Sequence, residues 1–272
     1  MAQVILFFYN RRSMSYDYSF HQRVRDTIIE CARSYKRIFL DYEYLLCSEA
    51  FQVHDYYIID AQEDNYKHLT GVNSSLKASE FFEKCYQGTL LDSDFDFNKA
   101  STCYSDNKGS VRRKIKVLPG VFSLFEGDME IEDDFEKNRI RCAFAIAKDI
   151  CTLGFHATGK AKPMTLLKGF ALNQNRAKKV DLILRRKKGL ELFDEIIHGT
   201  PADLIKYQPS IKSMLSAVLL DKMHEEEAKL MLLRTLELEL SGKTGRNIQN
   251  AKILLTFHIH MARIIHRFQN QQ

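Results

Sequence analysis

Apolar residues recur at spacings of three and four between Ser19 and Phe39, where Val24, Ile28, Cys31, Tyr35 and Ile38 form one stripe. That period predicts a core-facing helix, with Ser19 as its N-cap. Residues 42–47 and 55–61 are instead aromatic and β-branched and lie close together, which predicts two strands of a hairpin. The hairpin leads into Lys67-His68-Leu69-Thr70-Gly71, read as a turn. A helix is expected next, started by Ser74 or Ser75, carrying Phe81, Phe82, Cys85 and Tyr86, and stopped by Gly88. Residues 92–106 are polar and loop-like. Residues 109–125 predict a partial helix with Val111, Ile115 and Leu118 on one face, broken at Pro119-Gly120.

Strand patterns dominate the next stretch. Ile140, Cys142, Phe144 and Ile146 alternate with residues facing the other way, so 139–148 and 151–156 predict paired strands turning at Asp149-Ile150. Residues 126–136 read as a loop or edge strand, 159–163 as a basic turn before 164–169, and 180–185 as a further strand. Residues 3–9 also suit a strand. From about Thr200 the pattern is helical only, with starts at Thr200-Pro201 and Pro209-Ser210, a long helix over 211–240 and a stop at Ser241-Gly242. A last helix over 247–268 carries Lys252, Thr256, His260, Arg263 and Arg267 at spacings of four, four, three and four, a basic stripe suited to phosphates. The change of pattern divides the chain into a domain over 1–198 and a helical extension over 199–272.

Composition narrows the class. With 45% hydrophobic and 28% charged residues in 272, the chain is that of a globular protein with a substantial core. No apolar run reaches the roughly 18 residues of a membrane span, and residues 1–10 lack the basic leader of a signal peptide. A cytoplasmic protein without membrane contact is expected. The six cysteines show no C-x-x-C and no Cys/His ligand spacing, so reduced, buried thiols are expected rather than zinc or disulfides, and no cofactor is called for. Net charge is only +5, but it is segregated: 126–136 holds seven acids and no base, and the last 32 residues hold no acid. Segregation of this kind favours an anionic partner such as nucleic acid, and equally describes a solvated face.

The densest chemistry lies in the 67–71 segment. His68 is the natural acid/base because its ordinary pKa is near neutrality, and Thr70 can orient it or donate to a phosphate oxygen. The plainer alternative makes His68 a turn residue and Thr70 a cap. No P-loop, dinucleotide fingerprint, G-x-S-x-G or H-E-x-x-H is present. The acids of 126–136 leave a two-metal site open, although acids packed so densely more often face solvent.

Asn65-Tyr66-Lys67-His68-Leu69-Thr70-Gly71-Val72, then 78–85 and Gly88-Thr89-Leu90, resemble a pattern of phage-borne Barnase–EndoU–colicin–RelE-like nucleases. Residues 150–154 and Lys162-Pro163-Met164-Thr165-Leu166-Leu167 are similar to the same family's later strand and turn, so the resemblance spans about 20–195. It implies an α+β domain, helices packed on a twisted antiparallel sheet, here followed by an all-helical segment. It also implies toxin-like or phage-defence RNA cleavage without an obligatory metal. His68 and Thr70 match the hallmark positions and Thr165 the second hydroxyl position, while Arg112 and Lys116 are chosen for phosphate contacts. Lys67, Lys160, Lys162, Lys168, Lys252, Arg263 and Arg267 are candidates to bind nucleic acid. Expected partners are RNA, tRNA included, an antitoxin or regulatory protein, and a second copy through the C-terminal helices. The rival reading is a catalytically silent module that holds RNA or protein.

Overall fold

The computed structural model describes residues 19–99, 102–106, 108–137 and 139–241. The strand expected over 3–9 and the helix over 247–268, with Lys252, Thr256, His260, Arg263 and Arg267, lie outside the described residues.

Helix α1 (Phe20–Tyr35) begins where Ser19 Oγ accepts the Gln22 N–H at 3.2 Å, and it continues into one π turn at Lys36–Leu40. Strands β1 (Tyr42–Cys47) and β2 (Tyr56–Ile59) form the expected hairpin, with Tyr44 opposite Ile59. The 63–70 segment is a helix, α2 (Glu63–Thr70), and not a turn. Asn65 Oδ1 accepts the Gln62 N–H at 2.7 Å, acids fill the first turn, Lys67 and His68 the last, and both ends therefore complement the helix dipole. Helix α3 (Ala78–Gln87) ends at Gly88. A separate ribbon of β3 (Asn98–Lys99) and β4 (Thr102–Asp106) precedes α4 (Lys108–Val117), which gives way at Pro119 to a 3-10 turn, Leu118–Ser123.

A meander follows: β5 (Glu130–Lys137), β6 (Ile140–Lys148), β7 (Cys151–Thr158) and β8 (Lys160–Lys168), then β9 (Lys178–Lys179), β10 (Leu182–Lys187) and β11 (Glu195–His198). The acidic segment is thus largely β5, flanked on both sides by β6 and β9. Its Glu132 is buried, accepting the Asn173 N–H at 2.7 Å beside the Arg176 guanidinium. The basic turn expected over 159–163 shrinks to Gly159, at φ 94°, and β8 runs unbroken through Pro163. Helices α5 (Pro201–Ile211) and α6 (Ala217–Ser241) complete the described residues, with Pro209 inside α5 rather than opening a helix.

The nine-stranded sheet has the order β11-β10-β1-β2-β8-β7-β6-β5-β9, antiparallel except where β2 meets β8. The fold is α+β. One face of the sheet, the front, packs Tyr44, Leu46, Ile59, Leu153 and Leu166 against α1–α4. The back is covered in two places. Helices α5 and α6 lie over Leu45, Cys47, Leu182 and Leu184, and Ala171 and Leu172 lie over Ala145 and Ala147. The extension after residue 199 therefore shares a core with the sheet. Among the described residues, no helix is long and apolar enough to cross a membrane.

Candidate active site

Helix α2 carries the motif residues but gives them different jobs. Thr70 is fully buried; its hydroxyl donates to the Lys67 carbonyl at 2.8 Å and accepts the Val72 N–H at 3.4 Å. Both functions are spent on the helix end, so the Thr70 hydroxyl is occupied by backbone partners. Lys67 likewise donates to the carbonyls of Ser74 and Leu76 at 3.0 and 3.1 Å and ties down the loop. His68 alone is exposed.

A residue that the motif does not contain completes the arrangement. Lys114 of α4 reaches across to donate from Nζ to the His68 carbonyl at 2.6 Å. Its stem passes over Gly71, where an added Cβ would lie 2.6 Å from Lys114 Cδ. Burial pushes the Lys114 ammonium down to about 8. The His68 imidazole is also held below its ordinary 6.5, first by partial burial and then by Lys114 and Lys67, with Asp64 opposing. Near neutral pH the site therefore pairs a neutral imidazole with a proton-bearing amine that can release it. Perturbed groups of this kind, set in one place, suit acid–base work.

Gly71 sits at φ 75°, in the left-handed region. Gly71→Ala is expected to cost about 1–2 kcal/mol of backbone strain and to displace Lys114, lowering both the urea midpoint and any cleavage rate. An unchanged rate at lower stability would separate Lys114 from the chemistry.

The remaining candidates are scattered. Arg112 and Lys116 flank Lys114 by two residues, about 200° around the helix, and both are exposed. The Arg112 guanidinium lies 5.1 Å from the centre of the Phe20 ring, and Lys116 has no ion pair among the described residues. Neither is joined to His68. Thr165 stands opposite Gly154 and against Cys142, on the back of the sheet, whereas the α2 core residues lie on the front. The structure does not bring it to His68. Lys160 is bound to Glu43, while Lys162 and Lys168 are exposed and without ion pairs among the described residues. Among those residues no three His, Cys, Asp or Glu side chains converge as metal ligands. Sequence reasoning missed Lys114 because 112, 113, 114 and 116 are all basic, and nothing local says which one turns toward α2.

Five described cysteines, Cys31, Cys47, Cys85, Cys142 and Cys151, are free and buried. Burial pushes the Cys142 and Cys151 thiols up to about 11, which removes them as nucleophiles at neutral pH.

Residues 27–199, from within α1 through β11, match the profile of a protein family described as phage-Barnase-EndoU-ColicinE5/D-RelE like nuclease4. No curated protein and no solved structure matches the chain.

Proposed function

The chain belongs to the phage-Barnase-EndoU-ColicinE5/D-RelE like nucleases, and on that premise we propose that it cleaves RNA at a centre formed by His68 and Lys114. The observation that carries this reading is the partly buried Lys114 amine, with a pKa of about 8, bonded to the backbone of the histidine whose imidazole is neutral at the same pH.

In the proposed reaction His68 takes the proton of a ribose 2′-hydroxyl, and the 2′-oxygen attacks the adjacent phosphorus. The bond from phosphorus to the 5′-oxygen breaks, and the Lys114 ammonium gives its proton to that leaving oxygen. One product ends in a 2′,3′-cyclic phosphate and the other begins with a 5′-hydroxyl. Acid, base and charge all come from protein groups, so no metal is obligatory in this scheme. Arg112 and Lys116, on the outer side of α4, would draw flanking phosphates by long-range attraction. Such an activity inside a cell suits a toxin or phage-defence effector held in check by a partner protein.

The test is incubation of purified protein with total RNA, with tRNA and with single-stranded DNA, all in EDTA, reading the ends of the fragments. Discrete RNA fragments with 2′,3′-cyclic phosphate ends, and intact DNA, are expected. Equal cutting of DNA would exclude 2′-hydroxyl attack. Intact RNA with and without magnesium would favour the silent binding module.

A further inference from the structure

The back of the sheet carries a line of charged side chains that the catalytic reading does not use. Arg186 on β10 stands opposite Glu43 on β1, and His156 on β7 stands opposite Lys162 on β8. Asp60, just past β2, falls between them: the β1–β2 register places it opposite Glu43, and its N–H donates to the Ala161 carbonyl at 2.9 Å. The row Arg186, Glu43, Asp60, Lys162, His156 therefore crosses five neighbouring strands on one face.

Its two halves differ. Glu43, 7% exposed, is held by Lys160 and by Arg186 Nη2 at 2.6 Å, and Asp60 by Lys188 at 2.7 Å. A desolvated cluster of this kind adds little stability, but it consumes both carboxylates. Lys162 and His156 are left exposed, with no hydrogen bond or ion pair among the described residues. Helices α5 and α6 cover the β1–β10 side, and Ala171 and Leu172 pack at the other, so this end of β7 and β8 is open.

The open strip runs into a depression of about 540 Å³ lined by Lys162, Lys188 and Lys36 together with Gln62, Glu63 and Asp64. That volume is within the range that holds a nucleotide-sized ligand. Asp64 lies four residues before His68, about 6 Å along α2 and on the same side of it. A surface thus leads from His68 along α2 into the depression and on to Lys162 and His156.

Resting on the cleavage reading above, we propose that this surface is the track for the substrate strand. The sugar-phosphate backbone of single-stranded RNA on one side of the scissile bond lies on Lys162 and His156. The depression receives the nucleotide nearest His68. Glu63 and Asp64 repel phosphate and accept hydrogen bonds from ribose or base, so the backbone is kept on the sheet side of the depression.

The test uses fluorescence anisotropy of an end-labelled single-stranded RNA oligonucleotide with full-length His68→Ala protein, which binds without turnover. Adding Lys162→Glu is expected to weaken binding tenfold or more and to lower the slope of log K against log salt by about one. Adding Lys222→Glu, an exposed charge on α6, is expected to change binding less than twofold. In the otherwise native protein, Lys162→Glu and His156→Ala should raise KM and leave kcat nearly unchanged. Lys162→Glu binding as tightly as its parent overturns the track, and cleavage that continues with an unchanged KM does so while leaving the catalytic reading intact. Lys162-dependent binding by a protein that cuts nothing supports the track and sinks only the cleavage reading.

Discussion

Lys114→Met is expected to lower kcat for RNA cleavage by about 10²–10⁴-fold, the usual worth of a general acid, while leaving the protein folded and no less stable. The ammonium is partly buried, and its pKa of about 8 lies below the ordinary 10.5, so the native state holds this proton less tightly than the unfolded chain does. Its destabilising effect is full below pH 8 and fades as pH rises from 8 toward 10.5. Methionine removes that effect and loses one hydrogen bond to the His68 carbonyl, so stability at pH 7 should rise by about 1–2 kcal/mol. His68→Ala should match the loss of activity. The imidazole is held below 6.5 in the folded protein, so its destabilising contribution appears as pH falls through that region. Activity should therefore follow a bell, with kcat/KM rising as His68 loses its proton below pH 6.5 and falling as Lys114 loses its proton near 8. Lys114→Arg retains the charge but cannot titrate in this range. Residual activity that keeps the falling limb in this variant would assign the acid to another group.

Removing residues 200–272 should abolish cooperative folding, although the family match ends at residue 199. Truncation would strip α5 and α6 from Leu45, Cys47, Leu182, Leu184 and Phe193, all fully buried. Exposing each of the leucines and the phenylalanine forfeits about 1.5–3 kcal/mol, a sum comparable to the whole 5–15 kcal/mol stability of a typical domain. The bared strands would also present an apolar sheet face to other copies. A truncated protein that stays monomeric and melts at the temperature of the full chain would show that the helices are dispensable. Phe193→Ala in the full chain offers a milder version, expected to cost about 3–5 kcal/mol. The Arg186 guanidinium lies 4.4 Å from the centre of that ring, so the loss should also loosen its pairing with Glu43.

The sequence was informative wherever structure is decided by neighbours a few residues apart. Helix α1 follows from its three-and-four spacing and Ser19, the stop at Gly88 from a glycine at φ 77°, and the β1–β2 and β6–β7 hairpins from aromatic, β-branched or alternating runs. It was least informative where a side chain's direction depends on a distant partner. Thr165 illustrates this. From Ala161, which faces the front, strict alternation would turn Thr165 to the front as well. The register shift opposite Gly154 and Phe155 leaves Met164 as an extra residue, and Thr165 turns to the back.

His68 was visible in the residues themselves, whereas its helix reads as a turn although the caps, acids and basic end of α2 lie within ten positions. Lys114 was not visible, since one of five basic residues on α4 is singled out only by how α4 crosses α2 above Gly71. The row from Arg186 to His156 was not visible either. Its members come from five strands spread over more than 140 positions, and only the sheet register sets them side by side. Local propensity thus determined most of the elements and placed His68 among several catalytic candidates, whereas long-range pairing, which no short window of sequence encodes, decided which charges meet, which are buried and which remain for a ligand.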